Sequence, residues 1–497
     1  MKKNIIANFV GRFWGILSNF LFIPLYIKYL GFESYSVISF TLMIAGIMAV
    51  LDGGLTATLS REFARQDNDD TEKRKIFKNL ETLYFIVIGV CILCIFLSSD
   101  FLADKWLQIQ TITPDRTSLF LKIISFEIGF QLLLRFYMGG LLGLEKQVEA
   151  NIVQVAWGIF RNGLVVIAII YFPTLEMFFT WQTISTIVFA IITKIFLDKI
   201  VLGRFTLNFN FKIEKQILSR IWKFASGMLL IALVSAFNTQ MDKLAISKLL
   251  SIENLGYYTL AVSLCQGLII LVNPIATAVL PRFTAFFSTD EHHEARLLFT
   301  KMSVLVSILV FSIMMVMSFF AKDLIWVWTG NEVLAEKTRS LVPIVATAYA
   351  MFAIQFLPYN IAIANGYTKL NNVLGIVSLF ATIPGYFFVT KYYGATGAAS
   401  VFCGVQIVTT IIYIYFINKK FIKSDILKDI YWRQFILPFV VAGIVAYLFS
   451  KIPILIDNSR IFSLIWIGIA TFATLMISLI VLLPIKDLKQ LTNLKKN

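Results

Sequence analysis

Eight ionisable side chains lie in stretches of this sequence that are otherwise apolar: Arg12, Asp52, Lys122, Glu127, Arg135, Arg161, Asp242 and Lys243. Charges in such surroundings are costly, and they mark ligand pathways, ion relays or buried pairs. Their spacing points to helical faces. Glu127, Gln131 and Arg135 recur every fourth residue, which places them on one side of a helix. Asn8, Arg12 and Asn19 form a second stripe, Asn151, Gln154, Gly158 and Arg161 a third, and Ser235, Asn238 and Asp242 a fourth. Basic groups outnumber acidic ones in the first half. That balance favours an anionic ligand, and the planar fork of arginine donors matches phosphate. Arg12, Lys122, Arg135 and Arg161 are therefore the candidate ligand-binding residues, and Asp52, Glu127 and Asp242 the candidates for ion coupling or gating. A plainer reading stands beside this one. Lys122 and Arg12 lie near helix ends, where a long side chain snorkels to the interface, Asp242 and Lys243 have an interfacial position open to them, and Glu127 has Arg135 or Arg161 as a purely structural partner.

The elements that carry these residues must cross a membrane. The chain has 497 residues, 58% hydrophobic and 15% charged, against roughly a quarter charged in an average soluble domain. The charges fall in clumps separated by uncharged runs such as Asn254 to Pro281, Ser340 to Thr368 and Tyr392 to Asn418, each longer than the roughly twenty residues a spanning helix needs. Lipid leaves no partner for an open strand edge, so the spans are helices. The predicted fold class is all-α and polytopic, with about fourteen transmembrane helices at 7–29, 35–60, 80–98, 118–141, 148–172, 177–197, 220–249, 255–281, 297–321, 339–365, 370–390, 394–418, 434–450 and 460–484. The first run follows Met1-Lys2-Lys3 without a small-residue cleavage site, which predicts a retained anchor.

Lysine and arginine cluster on one side of this arrangement: Arg61, Arg65, Lys73, Arg74, Lys75 and Lys78, then Lys199, Arg204, Lys212 and Lys215, then Lys419, Lys420, Lys423 and Lys428, then the tail. That side carries roughly three times the basic residues of the other, and the positive-inside rule makes it cytoplasmic, with both termini inside. The net charge of +15 is thus a topology signal and not a nucleic-acid footprint. Cys91 and Cys94 have CxxC spacing but apolar flanks, and His292 and His293 adjoin in a loop, so neither a metal nor a redox site is expected. No GxxxxGK[ST] nucleotide loop is present, no connection is long enough for a catalytic domain, and neither enzyme activity nor a cofactor is expected.

An internal repeat organises the chain. Asp52-Gly-Gly-Leu-Thr-Ala-Thr-Leu-Ser-Arg61 matches Asn273-Pro-Ile-Ala-Thr-Ala-Val-Leu-Pro-Arg282 as TAxLxR, and Gly143-Leu-Glu-Lys146 matches Gly366-Tyr-Thr-Lys369 as GxxK. Lys28-Tyr-Leu-Gly-Phe-Glu33 resembles Lys248-Leu-Leu-Ser-Ile-Glu253. The first two pairs share nearly one offset, about 221 to 223 residues, and the third pair lies at a similar one. The offset covers an even number of spans, so the copies are parallel and the pathway is expected between them. The expected organisation is a six-helix lobe over 1–197, a cytoplasmic linker over 198–219, a second six-helix lobe over 220–418, and two extra helices with a basic tail over 419–497. Pro24, Pro274, Pro343, Pro358 and Pro384 lie inside spans and are candidate kinks.

Pro24 through Leu30-Gly31-x-Glu33-x-Tyr35, Asp52-Gly-Gly-Leu with Arg61, Gln240-x-Asp242-Lys243 and Leu255-Gly256-Tyr257-Tyr258 resemble the O-antigen and polysaccharide-unit flippases, the polysaccharide transporter branch of the multidrug/oligosaccharidyl-lipid/polysaccharide exporter superfamily. The resemblance implies alternating-access movement of a polyprenyl-pyrophosphate-linked oligosaccharide, an O-antigen or capsule repeat unit, across the bacterial inner membrane. It also implies work alongside an O-antigen polymerase and a chain-length regulator in lipopolysaccharide biosynthesis. Two other readings stay open: a proton- or sodium-coupled multidrug extruder of the same superfamily, and a non-transporting scaffold of a glycan-assembly complex.

Overall fold

A computed structural model describes residues 14, 18, 20–65, 69–203, 214–452 and 459–483. Among these residues every regular element is helical, as a backbone that must satisfy its own hydrogen bonds in lipid requires. Eleven of the helical segments are long and apolar enough to cross a membrane. The expected spans do not map onto them one for one. The spans expected at 370–390 and 394–418 form one helical run, Lys369–Ile417, broken at Gly394 (φ 62°, ψ −151°), a conformation open essentially to glycine alone. The span expected at 177–197 is the 27-residue helix Leu175–Val201, which lies outside the eleven. Of the span expected at 7–29, the described part is the short apolar helix Phe20–Leu30 with two residues before it. Broad bands of exposed Leu, Ile, Val and Phe, including Leu97, Phe380, Ile461 and Ile480, are what a lipid-facing surface presents; a water-facing surface of this size rarely does.

The chain divides into two compact units, Met1–Gly256 and Tyr257–Asn497. In unit 1 the helices run α1 (Phe20–Leu30), α2 (Phe32–Met48), α3 (Leu55–Ala64), α4 (Asp70–Phe101), α5 (Pro114–Gly143), α6 (Gln147–Gly158), α7 (Val165–Tyr171), α8 (Leu175–Val201) and α9 (Lys215–Leu249). α5 packs against α3, α4 and α8, and glycines allow the closest of these approaches. A Cβ at Gly139 would meet the Thr56 methyl at 2.4 Å, and one at Gly143 the Ser60 carbonyl oxygen at 2.5 Å. The helix Ile252–Cys265 begins in unit 1 and runs into unit 2, which holds the helices after it, and the core of unit 2 is dominated by Leu341–Ala364 against Lys369–Ile417, Gly267–Ser288 and His292–Phe319. Pro274, Pro358 and Pro384 lie inside these helices.

The second predicted span is not one helix. α2 ends at Met48, a 3-10 turn covers Ala49–Asp52, and Gly53 (φ 54°) and Gly54 (φ 76°) adopt left-handed backbone before α3 begins at Leu55. Only glycine takes up two such conformations in a row without steric cost. A membrane helix interrupted in this way frees backbone and polar groups, as at the ligand sites of many transporters.

Candidate functional site

Asp52 closes the 3-10 turn, and α3 restarts against it. Its Oδ1 accepts the Thr56 backbone N–H at 3.3 Å and the Thr56 hydroxyl, and the buried Tyr84 hydroxyl of α4 lies 2.8 Å away. All of these contacts fall on Oδ1; among the described residues, Oδ2 takes none. The Tyr84 hydroxyl is also 3.1 Å from the Leu132 carbonyl oxygen of α5. One turn further along α5 is Arg135. Arg135 is exposed, and among the described residues it has neither a hydrogen bond nor an ion pair. A desolvated guanidinium would need a carboxylate; an exposed one is available to an anion.

Arg161 is the opposite case. It sits in the π-helical turn Ile159–Leu164 that follows α6, is 7% exposed, and donates from Nε to Glu127 Oε1 at 3.0 Å. Its Nη1 donates to Asn162 Oδ1 at 2.9 Å, and its Cζ stands 5.4 Å from the Trp157 ring centre. The Thr186 hydroxyl of α8 donates to the same Glu127 oxygen at 3.5 Å. Of the two partners open to Glu127 in the sequence, the structure selects Arg161. The stripe of Glu127, Gln131 and Arg135 therefore divides: Glu127 and Gln131 are buried, and only Arg135 opens outward.

Lys122 donates to Asp100 Oδ1 of α4 at 3.0 Å, so it is paired as well as placed near a helix end. Asp242 is buried within the protein: it is 6% exposed, accepts the Lys243 backbone N–H at 2.8 Å, and has the Lys243 ammonium 3.9 Å away. Arg12 lies outside the described residues. Among the described residues no group of three or more His, Cys, Asp or Glu could hold a metal ion.

Two arrangements were not anticipated from sequence. Lys194 of α8, almost fully buried, donates to Glu81 Oε1 of α4 at 2.5 Å and pairs with Asp198 at 3.3 Å, while the Tyr137 hydroxyl of α5 donates to the same Glu81 oxygen at 2.7 Å. The signal was the i, i+4 spacing of Lys194 and Asp198, hidden at the edge of an apolar run. Glu33, at the start of α2, accepts the backbone N–H groups of Gln110 and Thr111. The loop that Glu33 holds is further tied to the end of α9 by Trp106 Nε1 donating to Ser247 at 3.1 Å and by Lys248 donating to the Lys105 carbonyl at 2.9 Å.

An apolar helix that breaks at a half-buried aspartate, among many helices long enough to cross a membrane, fits a transporter. The chain is a multi-pass membrane transporter of the multidrug/oligosaccharidyl-lipid/polysaccharide exporter superfamily. Within it, the polysaccharide biosynthesis protein family matches residues 1–287, and the chain belongs to that family; a MatE match covers residues 227–388. A candidate O-antigen transporter of Shigella flexneri is 20% identical over 374 residues, covering 74% of this chain and 86% of its own. Among solved structures, Lipid II flippase MurJ in an inward closed conformation has TM-score 0.72 at 15% identity, covering 97% of this chain and 99% of that one. An inward-facing multidrug resistance MATE family transporter has TM-score 0.63 at 14% identity, covering 82% and 94%. These structural likenesses concern the fold. The resemblance read from the sequence motifs to the polysaccharide transporter branch is borne out.

Proposed function

We propose that the protein is a flippase that carries a polyprenyl-pyrophosphate-linked oligosaccharide, an O-antigen or capsule repeat unit, across the bacterial inner membrane. The observation that carries this reading is Arg135: a guanidinium in a membrane helix, exposed and, among the described residues, without a carboxylate partner, one turn along α5 from the Leu132 carbonyl that the Tyr84 hydroxyl approaches. Pyrophosphate offers that fork two acceptor oxygens, and a charge-assisted pair of this kind is geometrically selective. The family match and the O-antigen transporter relative support the same cargo. In this reading 1–197 and 220–418 act as six-helix lobes joined by a cytoplasmic linker over 198–219, with both termini cytoplasmic. Arg12 and Lys122 assist the pathway, Asp52 is the foremost coupling carboxylate, Glu127 and Asp242 serve gating, and a polymerase and chain-length regulator act on the delivered unit.

A drug extruder is the competing reading, favoured by the half-buried Asp52 carboxylate and by the MatE match. Drug export needs an acidic group for the coupling cation and an apolar pocket. A deletion strain assayed both ways separates the two. Loss of surface glycan with polyprenyl-linked units accumulating on the cytoplasmic side, and unchanged sensitivity to cationic dyes, is the expected result. Intact surface glycan with several-fold greater dye sensitivity overturns the flippase reading.

A further inference from the structure

In unit 2 the helical run Lys369–Ile417 passes into a π-helical turn, Asn418–Ile422, and a second π-helical segment, Ile426–Ile436, leads into the helix Leu437–Lys451. π-Helix is mostly confined to single turns and is frequent at functional sites. Lys419, Lys420, Lys423, Lys428 and Arg433 are exposed along these two segments, and Trp432 among them is exposed as well. We propose that they form a binding surface for the headgroups of anionic phospholipid, at the level where the two helices leave the hydrocarbon. The assignment is independent of which cargo the transporter carries.

Charge is the first argument. Between 418 and 436 the acidic residues are Asp425 and Asp429 against those five basic ones. Asp425 is engaged as the cap of the second segment, accepting the backbone N–H groups of Leu427 and Lys428 at 3.0 Å. Among the described residues none of the five basic side chains has a carboxylate partner. Clusters of about four to eight Lys and Arg directly beside a transmembrane helix attract anionic lipid. The fold then fixes the cluster in place. The Lys420 ammonium stands 3.6 Å from the centre of the Tyr367 ring, and Phe421 packs between Tyr367 and Phe287 at 5.8 and 6.0 Å. Arg296 donates from Nε to the Ile422 carbonyl at 2.8 Å, and the Tyr431 hydroxyl donates to the Ile411 carbonyl at 3.1 Å, which holds the second segment alongside Lys369–Ile417. Lysines that served topology alone would need no such fixing. Position supplies the occupant. Tyr415 and Phe416 lead to Lys419 and Lys420, and Phe439, Val440 and Ile444 lead away from Arg433; all five apolar residues are exposed, as a lipid-facing band requires. Leu427 and Trp432 are five residues apart, as are Lys428 and Arg433, and five is the hydrogen-bond interval of a π-helix, so apolar and basic groups share one side. Tryptophan among basic groups is the composition of the headgroup level. An acidic soluble protein has no need of a basic face continuous with lipid-facing bands, and a zwitterionic lipid has no need of the excess charge.

The test uses the full chain in vesicles of phosphatidylcholine and phosphatidylglycerol, with a photoreactive group on the headgroup of one lipid or the other. The phosphatidylglycerol probe is expected to label the peptide 418–436 several-fold more than the phosphatidylcholine probe. Added salt should remove the difference, because exposed charges are screened. Lys420→Gln, Lys428→Gln and Arg433→Gln together should bring phosphatidylglycerol labelling down to the phosphatidylcholine level. Lys451→Gln, at the other end of Leu437–Lys451, should leave the preference unchanged. Lys428→Gln with Arg433→Gln serves if the triple variant fails to reach the membrane, and should lower the preference about twofold. Equal labelling of the wild type by the two probes, a preference that survives the substitutions, or an equal loss with Lys451→Gln overturns the assignment. In native membranes a photoreactive amino acid in place of Trp432 is expected to capture phospholipid. Capture of one protein species and no phospholipid gives the patch to an acidic protein partner and also overturns the proposal.

Discussion

Arg135 and Arg161 start as equals in the sequence, each a guanidinium in an apolar helix, and the fold gives them opposite surroundings. Arg161 is enclosed with Glu127, Asn162 and Trp157; Arg135 stands exposed, one turn along α5 from the Leu132 carbonyl that Tyr84 approaches. Removing one partner of a buried ion pair strands the other charge, a loss of about 3–5 kcal/mol. Arg161→Ala should therefore lower the amount of folded protein in the membrane and its melting temperature in detergent, and replacing Glu127 and Arg161 together with apolar residues should recover much of both. Arg135→Ala should leave amount and melting temperature unchanged and reduce glycan export at least tenfold, with Arg135→Lys retaining part because it keeps the charge without the fork. Quantitative immunoblots beside an export assay distinguish the two arginines. Equal export from wild type and a well-expressed Arg135→Ala protein removes Arg135 from the cargo site.

Among the elements, the break between α2 and α3 does most to build the site, and its two glycines have unequal demands. Gly53 needs its left-handed φ, but a Cβ there meets nothing nearer than 3.7 Å. At Gly54 a Cβ would stand 2.2 Å from the Met228 Cβ of α9, a clash that no side-chain rotation relieves. Gly53→Ala should thus cost only the left-handed penalty, roughly 1–2 kcal/mol, and Gly54→Ala clearly more, because α9 must move as well. Thermal unfolding of the purified variants ranks them; a Gly54→Ala protein as stable as Gly53→Ala contradicts the close approach of α9 to the break. Lys194 braces α8 to α4 through Glu81, with Tyr137 of α5 on the same oxygen. Three helices that carry site residues or their partners are thereby held together by buried charge.

For the whole molecule, the basic residues predict the orientation. Arg61, Lys73, Arg74 and Lys75 lie around the connection between α3 and α4, and Lys419, Lys420 and Lys423 follow Ile417 in unit 2. Cytoplasmic placement of both segments puts Trp328, in the helix Ala321–Thr329, on the periplasmic side. A reporter active only in the periplasm should give signal when fused near Trp328 and none near Lys75, Lys420 or Lys496. Strong activity at Lys75 reverses the orientation and, with it, the direction of transport.

What the sequence determined by itself is whatever depends on local composition and period. Uncharged runs longer than a bilayer dictated helices, because lipid provides no other partner for the backbone. The clumped Lys and Arg set an expected topology, and the motifs around Gly31, Asp52 and Asp242 pointed to the family. Spacing also singled out Asp52, Glu127, Arg135 and Arg161 as candidates. Only tertiary structure decided how those candidates divide. Glu127 has Arg135 eight residues away on its own helix and Arg161 on another, and spacing left both open as partners. The π-helical turn Ile159–Leu164 brings the second to 3.0 Å instead. Lys194 and Glu81 passed unnoticed for the same reason: 113 residues separate them, and no local pattern encodes which distant carboxylate a buried lysine meets. The interruption at Gly53 and Gly54 was likewise invisible to hydropathy, since glycine permits a left-handed turn without requiring one. Packing of α9 against the break, with Met228 over Gly54, is a contact between distant segments that no local pattern encodes.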